Sequence, residues 1–406
     1  MAKTETFDYQ VRDRKGQVIK GTLDAESQAM VANKLKSMGY APISINKHGE
    51  GLKRDIKIPG FGQKIKLYDI AVMCRQFATM INSGLTLLRA LSILEQQTQN
   101  KALAQVLGEV RSRVEGGSAL SAALSEHEAF PPLMVNMVKA GEVGGFLDEV
   151  LLQVASNFEA EVRLRQKVKS AMTYPTVVFI MAILAMTGML LFIVPVFEGL
   201  FSSLGGELPL PTRVLVTLSS LMKLFAPVLL VLLIVGMFLW RKYRRTERVR
   251  NVVDPLKLRL PVFGKLFQKI ALSRFSRNLG TMISSGVPIL QALDIVAGTS
   301  GNIVIERAVK DVEESVRSGE PLARPLENHA VFPPMVVQMM AVGEDTGSLD
   351  AMLHKISEFY DQEVEATTEA LTSLIEPIMI AVVGGMIGAM LIALYMPMFK
   401  IFELVK

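Results

Sequence analysis

Four carboxylates beside glycines come nearest, by type and spacing, to a chemical site in this chain. Glu142 and Asp148 lie in the segment AGEVGGFLD, and Glu344 and Asp350 lie in VGEDTGSLD. Hard divalent cations take oxygen ligands, so one hypothesis is a cation site in each segment. The spacing lacks the regular alternation of a dedicated calcium loop. The sequence favours a structural role, in which the glycines make a turn and an acidic side chain caps the next helix at its positive end.

Sequence motifs for catalysis are absent. There is no G-x-x-x-x-G-K-[ST] segment, which an ATPase would need for nucleotide phosphates, and no G-x-S-x-G, H-E-x-x-H or C-x-x-C. His127 and His329 each stand without a second His or a Cys at ligand spacing, and they are interpreted as loop or cap residues. A single cysteine, Cys74, cannot form an internal disulfide. The chain is therefore predicted to be no enzyme and to carry no cofactor.

The elements that position these carboxylates occur twice, 202 residues apart. Residues 75–94 and 277–296 are identical at ten of twenty positions, and residues 127–148 and 329–350 at eleven of twenty-two. Such a duplication fixes the architecture before any other feature does. Each copy carries Phe-Pro-Pro, interpreted as a rigid connection with a buried Phe or, alternatively, as a corner that docks a partner. The glycines and prolines of the repeat motif are Gly84, Pro131, Pro132 and Gly141, and then Gly286, Pro333, Pro334 and Gly343.

Each repeat is predicted to be an antiparallel bundle of about six helices. Apolar residues recur at spacings of three and four over 67–83, and Gly84 supplies a left-handed stop. The fifth helix is predicted to open at Pro131-Pro132 and to end at Gly141. The sixth is predicted to begin at Leu147 and to run on into an apolar segment.

A small α+β module and a basic linker are predicted before the first repeat. Residues 5–25 alternate as two strands around Arg14-Lys15-Gly16, Ser27 opens a helix that stops at Gly39, and APISI returns as a strand. Residues 47–66 combine four glycines and one proline with several lysines and an arginine, which indicates a flexible, solvated linker.

Half of the 406 residues are hydrophobic, and they concentrate in runs long enough to cross a bilayer. Three membrane-spanning helices are predicted. Lys223 interrupts the second and is expected to snorkel to an interface, and Glu376 sits at the edge of the third. No Asp, Glu, Lys, Arg or His lies inside the spans apart from these two, although ion-coupled transporters usually need one. Small residues in the third span permit close approach to another span or a second subunit: Gly384, Gly385 and Gly388.

Charge around the spans predicts their orientation. Lysines and arginines gather before the first span and after the second, whereas 198–213 holds one Arg and two Glu. Both repeats are thus predicted to be cytoplasmic, with 198–213 and the tail outside. The net charge of +5 is attributed to these clusters, which are expected to contact membrane lipid. Nucleic-acid binding is not predicted, because no basic patch is interleaved with aromatic residues.

The fold class is therefore mostly α, in a polytopic membrane protein. The predicted order is an α+β module (1–46), a linker (47–66), repeat 1 (67–170), span 1 (171–197), an external loop (198–213), span 2 (214–240), a basic connector (241–267), repeat 2 (268–375), span 3 (376–399) and an external tail (400–406).

These motifs together resemble the PilC/GspF family, the inner-membrane platform proteins of type IV pilus and type II secretion machines. The resemblance rests on M-I-x-S-G-x-x-[LI]-L-x-A-L-x-I, F-P-P and G-E-x-x-G-x-L-D in both repeats, and on D-R-K-G-Q-V-I-K-G-T-L-D-A-E-S at 13–27. It implies a non-enzymatic protein of the bacterial inner membrane in a pilus, competence or secretion system. The implied partners are a hexameric cytoplasmic ATPase, pilin or pseudopilin and other machine components. The glycines of the third span additionally predict that the chain associates with itself as a homo-oligomer. The alternative is a transporter or channel component.

Overall fold

A computed structural model describes most of the chain. The described residues are 5–12, 18–25, 28–47, 64–203, 209–244, 246–261 and 263–404. They form two units, Met1–Lys64 and Ile65–Lys406. Most of the predicted linker (47–66), the Arg14-Lys15-Gly16 turn and Ser27 lie outside the described residues.

The N-terminal unit is a three-stranded antiparallel sheet with one helix, as the alternation predicts. The strand order is β2-β1-β3, and Phe7 and Val11, on one face of β1, are buried with Val31 and Leu35 of the helix. The helix is followed by Gly39 at φ 83°. Its elements are β1 (Glu5–Arg12), β2 (Val18–Ala25), α1 (Gln28–Ser37) and β3 (Ala41–Lys47).

Each repeat has six helices, as predicted. The first comprises α2 (Leu67–Asn82), α3 (Leu87–Gln97), α4 (Lys101–Glu115), α5 (Leu120–Ser125), α6 (Pro132–Gly144) and α7 (Leu147–Gly188). The second comprises α11 (Phe263–Ser284), α12 (Ile289–Thr299), α13 (Ile303–Arg317), α14 (Ala323–Leu326), α15 (Pro334–Asp345) and α16 (Leu349–Leu404). Helices α3 and α12, and likewise α4 and α13, begin and end 202 residues apart. The same helix cap also occurs in both repeats: Asn100 and Asn302 each cap the following helix through the side-chain oxygen.

The two repeats share one hydrophobic core. Buried side chains from both copies, among them Phe77 and Phe158 of the first and Phe275 and Leu279 of the second, belong to one contiguous cluster. The bundles predicted as two homologous units are therefore packed against each other. Burial of so much apolar surface is the main stabilising contribution to this part of the chain.

Gly84 and Gly286 end the first helix of each repeat in the left-handed conformation, with φ of 84° and 73°. At Gly84 an added Cβ would meet nothing within 4 Å, so the backbone conformation alone requires glycine there.

Replacing Gly84 or Gly286 by Val is expected to lower the free energy of unfolding by about 1 kcal/mol or more. Thermal melts of the detergent-solubilised chain measure the loss. Gly84→Asn is the matched control, because Asn tolerates the left-handed region and should lose less. Equal melting temperatures for Gly84→Val and the unmodified chain would contradict the expectation.

The predicted end of the fifth helix at Gly141 is wrong by one turn. Helix α6 continues to Gly144, and the left-handed residue after it is Gly145, at φ 78°. Gly141 is buried against the start of α7: a Cβ there would lie 3.1 Å from the Leu147 Cα. Gly343 repeats this close approach, at 3.0 Å from the Leu349 Cα. These two glycines serve helix packing rather than helix termination.

Two helices are long and apolar enough to cross a membrane: Leu147–Gly199 and Leu349–Met396. The first runs from α7 through a π-helical segment (Met189–Ile193) into α8 (Val194–Ser203). The second predicted span (214–240) corresponds to α9 (Leu210–Tyr243), whose halves Leu210–Ala226 and Val231–Tyr243 are bent by 56°. Pro227 falls in the break, where proline removes a helical hydrogen bond. The described residues thus contain two spans, or three if the bent pair counts as one.

The first half of α9 packs against both long helices. Ser219 Oγ donates to the carbonyl of Leu190, in the π-helical segment, at 2.6 Å. Thr212 Oγ1 donates to the carbonyl of Ala393 in α16 at 2.5 Å. Side-chain hydroxyls that bond carbonyls of neighbouring helices are a common way to join spans.

The basic connector contains a helix that the sequence analysis did not predict, α10 (Glu247–Arg259). Its buried Asp254 accepts a hydrogen bond from the Ile303 backbone N–H at 3.2 Å, and Arg250 bonds Glu306 at 2.7 Å. The connector is thereby fixed to the start of α13.

Candidate functional site

Glu142 and Glu344 each cap a short helix. The two carboxylate oxygens of Glu142, on α6, accept hydrogen bonds from the backbone N–H groups of Leu120 and Ser121 at the start of α5. Glu344 accepts from Leu322 and Ala323 at 2.8 and 3.2 Å. The capped helix precedes the glutamate in sequence, so the expectation that this residue caps the next helix is wrong.

The other two candidate cation ligands, both aspartates, lie in the helices that follow the glutamates. Asp148 and Asp350 sit in the first turns of α7 and α16, where a negative charge stabilises the positive helix end. Among the residues that the structure describes, no three His, Cys, Asp or Glu side chains are placed to hold a metal ion.

Glu142→Ala and Glu344→Ala are each expected to lower the free energy of unfolding by about 1–2 kcal/mol, because each leaves two backbone N–H groups without their acceptor. Thermal melts of the detergent-solubilised chain measure this. Glu320→Ala, at an exposed position in the same repeat as Glu344, removes the same charge and should change the melting temperature little. Equal shifts in melting temperature for Glu344→Ala and Glu320→Ala would show that the loss of charge, rather than the loss of the cap, causes the effect.

The Phe-Pro-Pro segments are built as rigid connections. Phe130 and Phe332 are buried, and Pro132 and Pro334 open α6 and α15. The ring of Phe332 meets Phe275 edge-on, with centroids 5.2 Å apart. Apolar packing, rather than a free docking corner, accounts for the Phe in each copy.

An arginine–carboxylate pair joins the first and last helices of each bundle. The arginines are the first residues of the repeated segments 75–94 and 277–296, and the sequence analysis did not predict their partners. Arg75 of α2 bonds both oxygens of Glu159 on α7, at 2.7 and 2.8 Å. Arg277 of α11 bonds Asp361 on α16, which is also bonded by Ser273. Glu159 and Asp361 are 202 residues apart, but Glu161 and Glu363 share that offset, so the duplication narrows the choice of partners without identifying them.

The two pairs differ in burial. The Arg277 side chain is 7% exposed and the Arg75 side chain 38%. Hydrogen bonding to Arg75 lowers the pKa of Glu159 below its usual value. A carboxyl group with a lowered pKa stabilises the fold above its unfolded-state pKa, and that contribution is lost as pH falls through the lowered value.

A polar interface joins the repeats beside these pairs. The side-chain amide of buried Asn157, on α7, donates to Asn278 Oδ1 at 3.2 Å and to Thr281 Oγ1 at 3.1 Å on α11. Gln291 donates to Asn136 at 3.0 Å nearby. A cleft of about 630 Å³ adjoins this interface, and both Arg75 and Arg277 line it. The arrangement holds two bundles in a fixed relation.

The spans present open apolar surface. The apolar windows of the two long helices are only 11% and 22% buried within the chain. A Cβ added at Gly384, Gly385 or Gly388 would meet nothing within 4 Å, so no described helix of this chain packs on that face. These surfaces are available to lipid or to another protein.

Comparison with known proteins agrees with this architecture. The family model for type II secretion system protein F matches twice, at residues 73–195 and 275–397, and the model for its N-terminal domain matches residues 1–46. The limits of the two matches are again 202 residues apart.

Relatives extend over the whole length. The chain is 45% identical to the type IV pilus assembly protein PilC of Thermus thermophilus over 97% of its residues and 98% of the relative. It is 43% identical to PilC of Myxococcus xanthus, with 98% and 95% covered. Type II secretion system protein F of Pseudomonas aeruginosa is 32% identical, with 98% and 99% covered. The chain therefore belongs to the type II secretion system protein F family, the PilC/GspF family expected from its motifs.

Proposed function

We propose that this chain is a non-enzymatic platform protein of the bacterial inner membrane that couples a cytoplasmic assembly ATPase to the polymerisation of pilin. The observation that carries the proposal is the match of both repeats and the N-terminal module to the family, together with identity of 43–45% to two proteins named for type IV pilus assembly. Relatives named for type IV pilus or fimbrial assembly are 31–45% identical and relatives named for type II secretion are 30–32% identical, so only the highest identities favour a pilus machine over a secretion machine.

The division of surfaces supports two kinds of partner. The sequence has no phosphate-binding motif of its own, so the energy for moving pilin must come from a separate nucleotide-hydrolysing protein. The repeats hold most of the charge and offer selective, salt-sensitive contacts to such a soluble hexamer. The spans offer apolar surface to pilin helices, lipid, other membrane components of the machine and a second copy of this chain.

Co-purification tests this assignment. A chain lacking both repeats should lose the ATPase, and replacing Gly384 and Gly388 together by Leu should weaken self-association or pilin contact while sparing the ATPase. Gly236→Leu is the matched control, because Gly236 of α9 also has open space around its Cα. Retention of the ATPase by the chain without repeats would refute the coupling role.

Orientation gives a separate prediction. A reporter active only outside the cytoplasm, fused after Gly205 or after Lys406, is expected to be active, and fused after Glu320 it is expected to be silent. The reason is the excess of Lys and Arg on the repeat side of the spans. Activity after Glu320, or silence after Gly205, would overturn the assigned topology.

A further inference from the structure

A groove runs along α7 where the chain passes from the repeat into the first span. It has a volume of about 460 Å³, and its lining extends from Glu161 to Val177 on α7, with Ile270 on α11 opposite. Sixteen residues of helix correspond to about 24 Å. The sequence is uncharged from 170 to 197, so the groove begins among charged residues and ends at the level of the apolar segment.

The two ends of the groove differ in chemistry. Leu164, Val168 and Met172 form an apolar wall that belongs to the cluster between α7, α11 and α16. Four cations line the groove against one carboxylate, that of Glu161. The cations are Arg165, Lys169, Arg274 and Arg277.

The single carboxylate is shared among the cations. Arg165 bonds Glu161 at 2.6 Å, and the Arg274 Nε lies 3.1 Å from the same carboxylate. That Nε is buried, and its contact with Glu161 lacks the geometry of a hydrogen bond, so it has an ionic partner but no hydrogen-bond acceptor in the described part of the chain. Burial lowers the pKa of the Arg274 guanidinium; Glu161 opposes this, and the cations of Arg165 and Arg277 lower the pKa further. A second anion in the groove would relieve this excess of positive charge.

Three of the four cations depart from the internal repeat. Arg277 corresponds to Arg75, and it already pairs with Asp361. The positions 202 residues from Arg165, Lys169 and Arg274 hold Thr367, Leu371 and Val72. Residues needed only to build a bundle would be useful in both copies, so these three cations indicate a property of this one groove.

We infer that the groove binds one anionic phospholipid from the membrane leaflet on the side of the repeats, with its phosphate at Arg165, Lys169 and Arg274 and an acyl chain along Val168 and Met172. Arginine presents a planar fork that matches phosphate oxygens, and lysine adds a point charge. The groove's position at the boundary, its apolar wall and its excess of cations fit a molecule that is anionic at one end and apolar at the other. The bound lipid would fix α7 against α11 where the bundle meets the bilayer.

Native mass spectrometry of the full chain released from detergent micelles tests the inference. With phosphatidylglycerol the chain should retain one lipid, and with phosphatidylcholine none. Arg165→Gln combined with Lys169→Gln should weaken retention on the order of tenfold, since each cation near an anionic headgroup contributes to binding. Lys310→Gln combined with Lys355→Gln removes two exposed cations on repeat 2, outside the groove and away from the spans, and should leave retention unchanged.

A second variant fills the groove without altering charge. Thr173 is exposed and lines the groove, so Thr173→Trp should also abolish retention, and it carries the test if the double variant fails to fold. Retention by Thr173→Trp, equal losses in both double variants, or equal retention of the two lipids would overturn the inference. So would a disulfide-linked dimer of Thr176→Cys, because the occupant would then be a second copy of this chain.

Discussion

Arg277→Ala is expected to lower the free energy of unfolding by about 2–3 kcal/mol, whereas Arg75→Ala should cost about 1 kcal/mol or less. The duplication supplies this comparison, because the two arginines hold equivalent carboxylates in equivalent bundles. Arg277 is buried and bonds Asp361, itself bonded to Ser273. The two carboxylates are similarly exposed, Asp361 at 34% and Glu159 at 30%, so the difference is expected from the arginines. Removing the buried Arg277 also leaves a cavity in the packed interior, whereas water takes the place of the half-exposed Arg75.

Thermal and denaturant unfolding of the detergent-solubilised chain gives both values. The double variant Arg277→Met with Asp361→Leu is the control, since replacing both partners of the pair by apolar groups leaves no charge unpaired. It should recover much of the loss seen in Arg277→Ala. Equal losses for Arg277→Ala and Arg75→Ala would mean that burial does not set the strength of these pairs.

The sequence was sufficient for the helical content of the repeats because local signals and the constant offset both act there. The stops at Gly84 and Gly286, the proline openings at Pro132 and Pro334 and the apolar periodicity depend on neighbours within one or two turns. Comparing the two copies also helps, because a helix that is ambiguous in one copy can be assigned from the other. The long helices that begin at Leu147 and Leu349 followed from the same reasoning.

Contacts between distant segments could not be predicted in this way. The partner of Arg75 lies 84 residues further along the chain, and neither charge nor periodicity distinguishes Glu159 from its acidic neighbours. The Asn157 contact with Asn278 exists only because the two repeats pack on each other, and an internal duplication does not specify that packing. Helix α10 is likewise fixed by a contact with a distant segment, between Asp254 and the backbone N–H of Ile303.

The carboxylates with which the sequence analysis began illustrate the same limit. A glutamate beside glycines fits a cation ligand and a helix cap equally well when only the spacing is known. The structure places Glu142 against α5 and Glu344 against α14, each with both oxygens bonded to backbone N–H groups. The neighbouring glycines allow the glutamate-bearing helix to approach the helix that follows it.

That close approach gives the second large effect, at Gly343. Gly343→Val is expected to cost about 2–3 kcal/mol, because even a Cβ would lie 3.0 Å from the Leu349 Cα and from Met352, and the two added methyl groups would force α15 away from α16. Gly298→Ala is the matched control in the same repeat: Gly298 is helical and exposed with open space around it, so Ala should stabilise the chain by up to about 1 kcal/mol. Melting temperatures should therefore move in opposite directions. If Gly343→Val melted no lower than the unmodified chain, close packing of these helices would not be the reason for the glycine, and Gly141, which meets Leu147 in the same way, would need another explanation too.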